Sequence, residues 1–220
     1  MKKLFIVGNW KSNKTALEAK NWLDAFKVND LGITDKEIII CPPFTLLSSI
    51  SLEVRSQKLE ARIGAQDISP FDEGAYTGEI NGKQIKEFGD YVLIGHSERR
   101  QYLKEDDEIL NRKVIMAIKY NLIPIFCVQE RNTVIPSGVR IVAYEPIWAI
   151  GTGNPDTPDN AEQVATAIKS SNKEITHILY GGSITSANTN SFTKMSQIDG
   201  VLVGGASLDS TEFLKIIKNA

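Results

Sequence analysis

The sequence predicts an α/β fold in which eight parallel strands close into a (β/α)8 barrel, and three observations lead there. First, eight short apolar, β-branched runs recur along the 220 residues: LFIVGN, EIIICP, ARIGAQ, YVLIGH, IPIFCV, RIVAYE, HILYGG and GVLVGG. They lack apolar–polar alternation, which marks strands buried on both faces, as in a parallel sheet. Second, helical patterns separate most of them, and regular strand–helix alternation wraps such a sheet in helices. Third, the length suits one barrel, and no linker, repeat or low-complexity tract divides it, so one domain is expected over residues 1–220. An open, doubly wound sheet is the competing architecture.

The connecting segments carry helix-start chemistry. Thr15 and Glu18 form a capping box ahead of Ala16, Ala19, Leu23 and Phe26. Asp106 precedes Leu110, Val114, Ala117 and Ile118, and Thr157–Pro158 opens a pattern carrying Ala161, Val164, Ala165 and Ile168. Ser210 precedes Phe213, Ile216 and Ile217 as the start of the last helix. One interval departs from the pattern. Between Val128 and Ile141 lie only QERNTVIPSGVR, with Pro136 and Gly138 in the second half. Twelve extended residues still reach ~40 Å, against ~20 Å for a six-residue strand. The crossover helix between strands five and six is therefore expected to be reduced or absent, with at most one helical turn before Pro136. The wall it would have covered should be exposed unless Val134 and Ile135 fold over it.

Composition narrows the function. A net charge of -2 gives no electrostatic reason for a nucleic-acid or membrane partner. The opening MKKLFIVGNWK stops being apolar after Val7 and offers no small-residue cleavage site, so no secretory leader is expected. No apolar stretch is long enough to span a bilayer. The two cysteines, Cys41 and Cys127, each sit in a strand-like run without C-x-x-C pairing, which fits buried thiols in a reducing cytoplasm.

Barrels of this kind react at the C-terminal ends of their strands. Those ends hold Asn9 and Lys11 after strand one, His96 and Glu98 after strand four, and Glu145 after strand six. Gly181, Gly182 and Ser183 follow strand seven, and Gly204 and Gly205 follow strand eight. A carboxylate, an imidazole, a cation and two glycine-rich turns thus face one mouth, and glycine backbones approach oxyanions closely. His177 lies inside a strand, away from its ends, and is read as structural. His96-x-Glu98 has no further His or Cys cluster to support a metal. Gly151-Thr152-Gly153 lacks the third glycine of a dinucleotide fingerprint, so neither metal nor cofactor is expected.

In order along the chain stand NWKSN (9–13), GAYTGE (74–79), GHSERR (95–100), YEPIWAIGTG (144–153), YGGS (180–183) and LVGGASL (202–208). With these motifs the chain closely resembles the triosephosphate isomerase family. The resemblance implies interconversion of dihydroxyacetone phosphate and glyceraldehyde 3-phosphate, without cofactor or metal. It implies Glu145 as the base, its pKa raised by apolar neighbours, and His96 as a neutral electrophile that also shuttles protons. It implies Lys11 and Asn9 as charge and hydrogen-bond donors, Glu98 as the carboxylate holding Lys11, and Gly151, Ser183, Gly204 and Gly205 around the phosphate. Pro146, Ile147, Trp148, Ala149, Ile150, Gly151, Thr152 and Gly153 correspond to a lid that shuts out water, protecting an intermediate prone to expel its phosphate. The loop at 68–79 would carry Thr77 into a second subunit, giving a homodimer, with a tetramer as a further possibility. A non-catalytic barrel that merely binds triose phosphate is the rival reading, and it would have lost a reacting group. The chain departs from the family pattern at Ser12, at Asp67 (expected as a charge near the mouth's edge), at Gln129 and in the short interval after strand five.

Overall fold

The computed structural model describes residues 3–220, apart from the side chains of residues 30 and 31. Eight parallel strands close in sequence order: β1 (Leu4–Asn9), β2 (Lys36–Cys41), β3 (Arg62–Ala65), β4 (Tyr91–Ile94), β5 (Ile123–Val128), β6 (Ile141–Tyr144), β7 (His177–Tyr180) and β8 (Gly200–Val203). Closure comes from β8 pairing with β1, Phe5 opposite Gly200 and Gly8 opposite Val203. Around them run α1 (Ala16–Ala25), α2 (Phe44–Ser56), α3 (Gly82–Lys86), α4 (Ser97–Tyr102), α5 (Asp107–Lys119), α6 (Pro158–Ser171), α7 (Thr189–Thr193) and α8 (Ser210–Asn219).

Strand alternation sorts the apolar residues into two layers. Phe5, Val7, Ile39, Tyr91, Leu93, Ile125, Ile141, Ala143, Leu179 and Leu202, with Cys41 and Cys127, fill the barrel interior. Ile6, Ile38, Val92, Val142, Ile178 and Val201 face outward and pack with helix residues such as Leu23, Ile50, Val114, Ile168 and Phe213. This is why the strands read as unbroken apolar runs.

Thr15, Asp106 and Thr157 cap their helices as the sequence predicts, Thr15 in a reciprocal box with Glu18. The last helix differs by one residue. Asp209, not Ser210, is the cap, its carboxylate accepting from the Glu212 N–H, because Ser210 already lies within the first turn. His177 is also placed differently: it is the first residue of β7, at the barrel end opposite the strand C-termini, with its ring edge-on to Phe5 at 4.8 Å.

No helix forms between β5 and β6. The chain makes a turn closed by the Thr133 N–H on the Glu130 carbonyl and a second at Ser137–Gly138, and is otherwise irregular up to Ile141. Val139 is buried and Ile135 packs on the core, but Val134 stays exposed. Ile115, Ile118 and Ile123 on the adjoining wall are exposed too. The shield is thus partial.

Asp67 does not sit at the mouth's edge. It is buried beneath α4 and α5, where Lys113 Nζ reaches both its oxygens at 2.7 Å and Arg99 lies at 2.7 Å. Glu105 shares the same two cations, each at 2.6 Å. Burial pushes Asp67 up to about 6, against the pull of Lys113 and Arg99 and with a further push from Glu105. An acid whose folded pKa lies above its unfolded value gives stability that is whole below pH ~4 and lost as pH rises through about 6. Asp67→Asn abolishes this titration while keeping an acceptor. Urea unfolding of both proteins at pH 4 and pH 7.5 is expected to show the wild type losing up to ~3 kcal/mol relative to the variant. A difference independent of pH would mean that Asp67 does not titrate in this window.

Candidate active site

Glu145 follows Tyr144 at the end of β6, and the alternation that turns Ile141 and Ala143 inward turns Glu145 inward as well. Only 2% of it is exposed. Its Oε1 faces His96 Nε2 at 3.2 Å. The second oxygen, Oε2, has no hydrogen-bond partner, and the buried thiol of Cys127 on β5 lies beside the carboxylate. Burial, reinforced by that negative charge, raises the Cys127 pKa far above the ordinary thiol range.

His96 caps α4. Its Nδ1 accepts from the Glu98 backbone N–H at 3.3 Å, which puts the ring proton on Nε2, toward Glu145. Burial pulls the imidazole pKa down, but the charge and hydrogen bond of Glu145, with Glu98, outweigh it and hold the pKa above the ordinary value. The α4 N-terminus opposes a cation at this position.

Lys11 lies just past β1 in a left-handed backbone conformation, φ 52°. Side chains on both sides of its backbone hold it there. The Lys11 N–H donates to Asn9 Oδ1 at 3.0 Å, and Gln66 Nε2 donates to the Lys11 carbonyl at 2.9 Å. Lys11 Nζ meets Glu98 Oε1 at 2.5 Å.

The lid segment follows Glu145 directly. Ile147–Ala149 form a single 3-10 turn with Ala149 buried, while Ile147 and Trp148 face solvent. It is docked on the turn after β7: the Gly153 N–H donates to Ser183 Oγ at 3.1 Å, and that hydroxyl donates to the Ala149 carbonyl at 2.6 Å. Gly182 permits the approach, since a Cβ there would lie 2.4 Å from the Tyr180 hydroxyl and 3.0 Å from Ala149 Cβ.

Together these elements enclose a cavity of about 320 Å³. Asn9, Lys11, His96, Glu145, Gly151, Ser183, Gly204 and Gly205 all line it. A Cβ on Gly205 would meet nothing within 4 Å, so open space lies over that backbone. Glu98 stands behind Lys11, and Thr77 lies outside the cavity, exposed on its own loop. That loop is closed at its base by the Ser69 N–H on the Ile80 carbonyl and tied to α5 through Asp72 with Lys119 and Tyr120. Its exposed Phe71 and Tyr76 rings stack at 4.3 Å. Among the described residues no three His, Cys, Asp or Glu side chains are grouped to hold a metal ion. Gln129, half-buried, reaches the Gly95 carbonyl at 3.5 Å from the turn after β5.

Sequence reasoning gave no role to Gln66, Cys127 or Asn188. Asn188 supports the turn after β7, donating to the Ser183 carbonyl at 3.0 Å and accepting from the Thr185 N–H at 2.9 Å. Gln66 was visible only as an inward polar residue just past a strand. Nothing in the sequence pairs Cys127 with Glu145.

A buried carboxylate facing an imidazole, a paired lysine and glycine backbone around a small cavity define a barrel enzyme of the proton-transferring isomerase class. The family model described as triosephosphate isomerase matches residues 4–220. The triosephosphate isomerase of Mesomycoplasma hyopneumoniae strain 232 is 44% identical over 246 aligned positions, covering 100% of both chains. That of Gloeothece citriformis is 40% identical and covers 99% of both. The crystal structure of the Bartonella henselae triosephosphate isomerase superposes with a TM-score of 0.84 at 31% identity, covering 99% of this chain and 98% of that one. The chain belongs to the triosephosphate isomerase family. An alignment of 246 positions against 220 residues means that the Mesomycoplasma protein has segments this chain lacks.

Proposed function

We propose that the chain interconverts dihydroxyacetone phosphate and D-glyceraldehyde 3-phosphate by proton transfer through an enediol(ate). The observation that carries this reading is the opposition of Glu145 Oε1 and His96 Nε2 at 3.2 Å on the wall of the cavity. Once substrate displaces Glu145 from this contact, a substrate carbon gives its proton to Glu145, and the developing oxyanion accepts from His96 Nε2–H and Lys11. His96 passes a proton to the former carbonyl oxygen and takes one from the neighbouring hydroxyl, and Glu145 returns its proton to the neighbouring carbon. Displacing Glu145 from His96 removes the contact that raises the imidazole pKa, which favours a neutral donor. The phosphate lies over Gly204 and Gly205, with Gly151 and Ser183 opposite.

The cavity is at the small end of ligand sites, which run from roughly 300 to 1,000 Å³. That favours a triose over larger sugar phosphates. A barrel that only bound triose phosphate would have no use for a buried base, so the rival reading is disfavoured. Turnover of glyceraldehyde 3-phosphate in a coupled assay tests the proposal, and a pure, folded protein without activity would refute it.

The same reading makes the barrel a cytoplasmic unit of glycolysis and gluconeogenesis, assembled as a homodimer. The exposed 68–79 loop is its contact, carrying Thr77 toward the partner's Asn9 and Lys11. Light scattering at micromolar protein is expected to give a dimer, and an active monomer would contradict it. A tetramer in the same measurement would point to the wall at Ile115, Ile118 and Ile123 as a second contact. Among the described residues no helix is long and apolar enough to cross a membrane.

A further inference from the structure

Asp156 stands three residues past the lid, between Pro155 and the cap of α6, and only 6% of it is exposed. A carboxylate with so little access to water is costly unless its oxygens are satisfied. Here they are. Oδ1 accepts from the Thr157 N–H at 2.7 Å, and Oδ2 accepts from Asn160 Nδ2 at 2.7 Å and lies 3.5 Å from the Tyr144 hydroxyl. The Asp156 N–H donates to the Tyr180 hydroxyl at 2.7 Å. One residue therefore ties the C-terminal end of the lid to β6, β7 and α6.

A purely local role does not account for this arrangement. Thr157 already caps α6, its hydroxyl accepting from the Asn160 N–H at 3.2 Å, so the helix has its cap without Asp156. The groups that Asp156 gathers belong to the reacting end of the barrel. Tyr144 immediately precedes Glu145, and the Tyr180 hydroxyl sits over Gly182, the glycine on which Ala149 of the lid rests. The lid thus starts two residues after Tyr144 and is held past its far end against both Tyr144 and Tyr180, whose rings lie 6.3 Å apart.

We propose that Asp156 is a positioning residue for the lid: its carboxylate fixes the C-terminal hinge so that the lid stays docked while the intermediate exists. This rests on the isomerase reading above. An exposed enediolate has a competing path. Its electron pair forms a carbon–carbon double bond as the neighbouring C–O bond breaks, inorganic phosphate leaves, and the remaining enol becomes methylglyoxal. No oxidant or reductant is involved. A lid that undocks more often lengthens the time spent exposed.

The test compares wild type with Asp156→Ala and the nearly isosteric Asp156→Asn, measuring phosphate release per isomerisation turnover and the Kd for phosphoglycolate. Losing the hydrogen bonds of one buried carboxylate is expected to raise the elimination fraction about 10-fold and weaken phosphoglycolate about 10-fold in Asp156→Ala. Asp156→Asn should shift both in the same direction by less, and it decides the matter if the alanine variant does not fold. Unchanged elimination and inhibitor affinity overturn the proposal, whether or not the melting temperature falls, since a structural role alone would move only the latter. An inactive wild type would instead refute the isomerase reading, before any variant is compared.

Discussion

Replacing Glu145 by glutamine is expected to lower kcat by about 10²–10⁴-fold, the usual contribution of a positioned general base. The amide cannot take a proton from carbon, yet it fills the same volume and still offers an oxygen to His96 Nε2–H. Because Glu145 is buried against His96 and Cys127, no water has ready access to replace it as base. The proposed phosphate contacts at Gly151, Ser183, Gly204 and Gly205 are untouched, so phosphoglycolate should bind within a few-fold of its wild-type affinity. Steady-state kinetics with inhibitor titration reads both quantities. Near-normal turnover would remove Glu145 from the mechanism.

Lys11→Met is the second large effect, and its pattern differs. On the proposed mechanism the change deletes a cation that faces both the substrate phosphate and the developing enolate, so kcat and KM should both worsen. Loss of one such electrostatic partner typically costs about 10²–10³-fold in kcat. Folding should be little affected. Methionine meets the same backbone penalty at φ 52°, Asn9 and Gln66 still hold the main chain, and the released Glu98 is partly exposed to water. A variant with altered kcat but intact KM and inhibitor affinity would show that Lys11 does not contact the phosphate.

The barrel was legible because its strands are buried on both faces, leaving eight apolar runs that only a covered parallel sheet, closed or doubly wound, requires. The cavity-lining residues were legible for a related reason. In a closed parallel barrel all strand C-termini face one mouth, so Asn9, His96, Glu145 and Gly204 converge without any contact being known. Contacts between side chains remote in sequence were not legible. Asp67 reads as a stray charge until α4 and α5 fold over it and bring Arg99 and Lys113. Asp156 drew no reading from the sequence, because its partner Tyr180 arrives only with β7. The Asp209 cap was missed for a smaller reason: Ser and Asp are both good caps, and adjacent candidates do not settle a one-residue boundary.

The bare connection between β5 and β6 also bears on how the chain finds its fold. Ile125 pairs with Ile141, sixteen residues later, whereas β1 and β2 or β4 and β5 pair residues thirty-two apart. Closing a loop of half the length spares about 0.6 kcal/mol of chain entropy, and pairings of low sequence separation form early. Among the paired neighbours, the β5–β6 seam has the smallest entropic barrier to forming. Deleting the helix that would shield this seam has therefore turned a non-local junction of the barrel into its most local one.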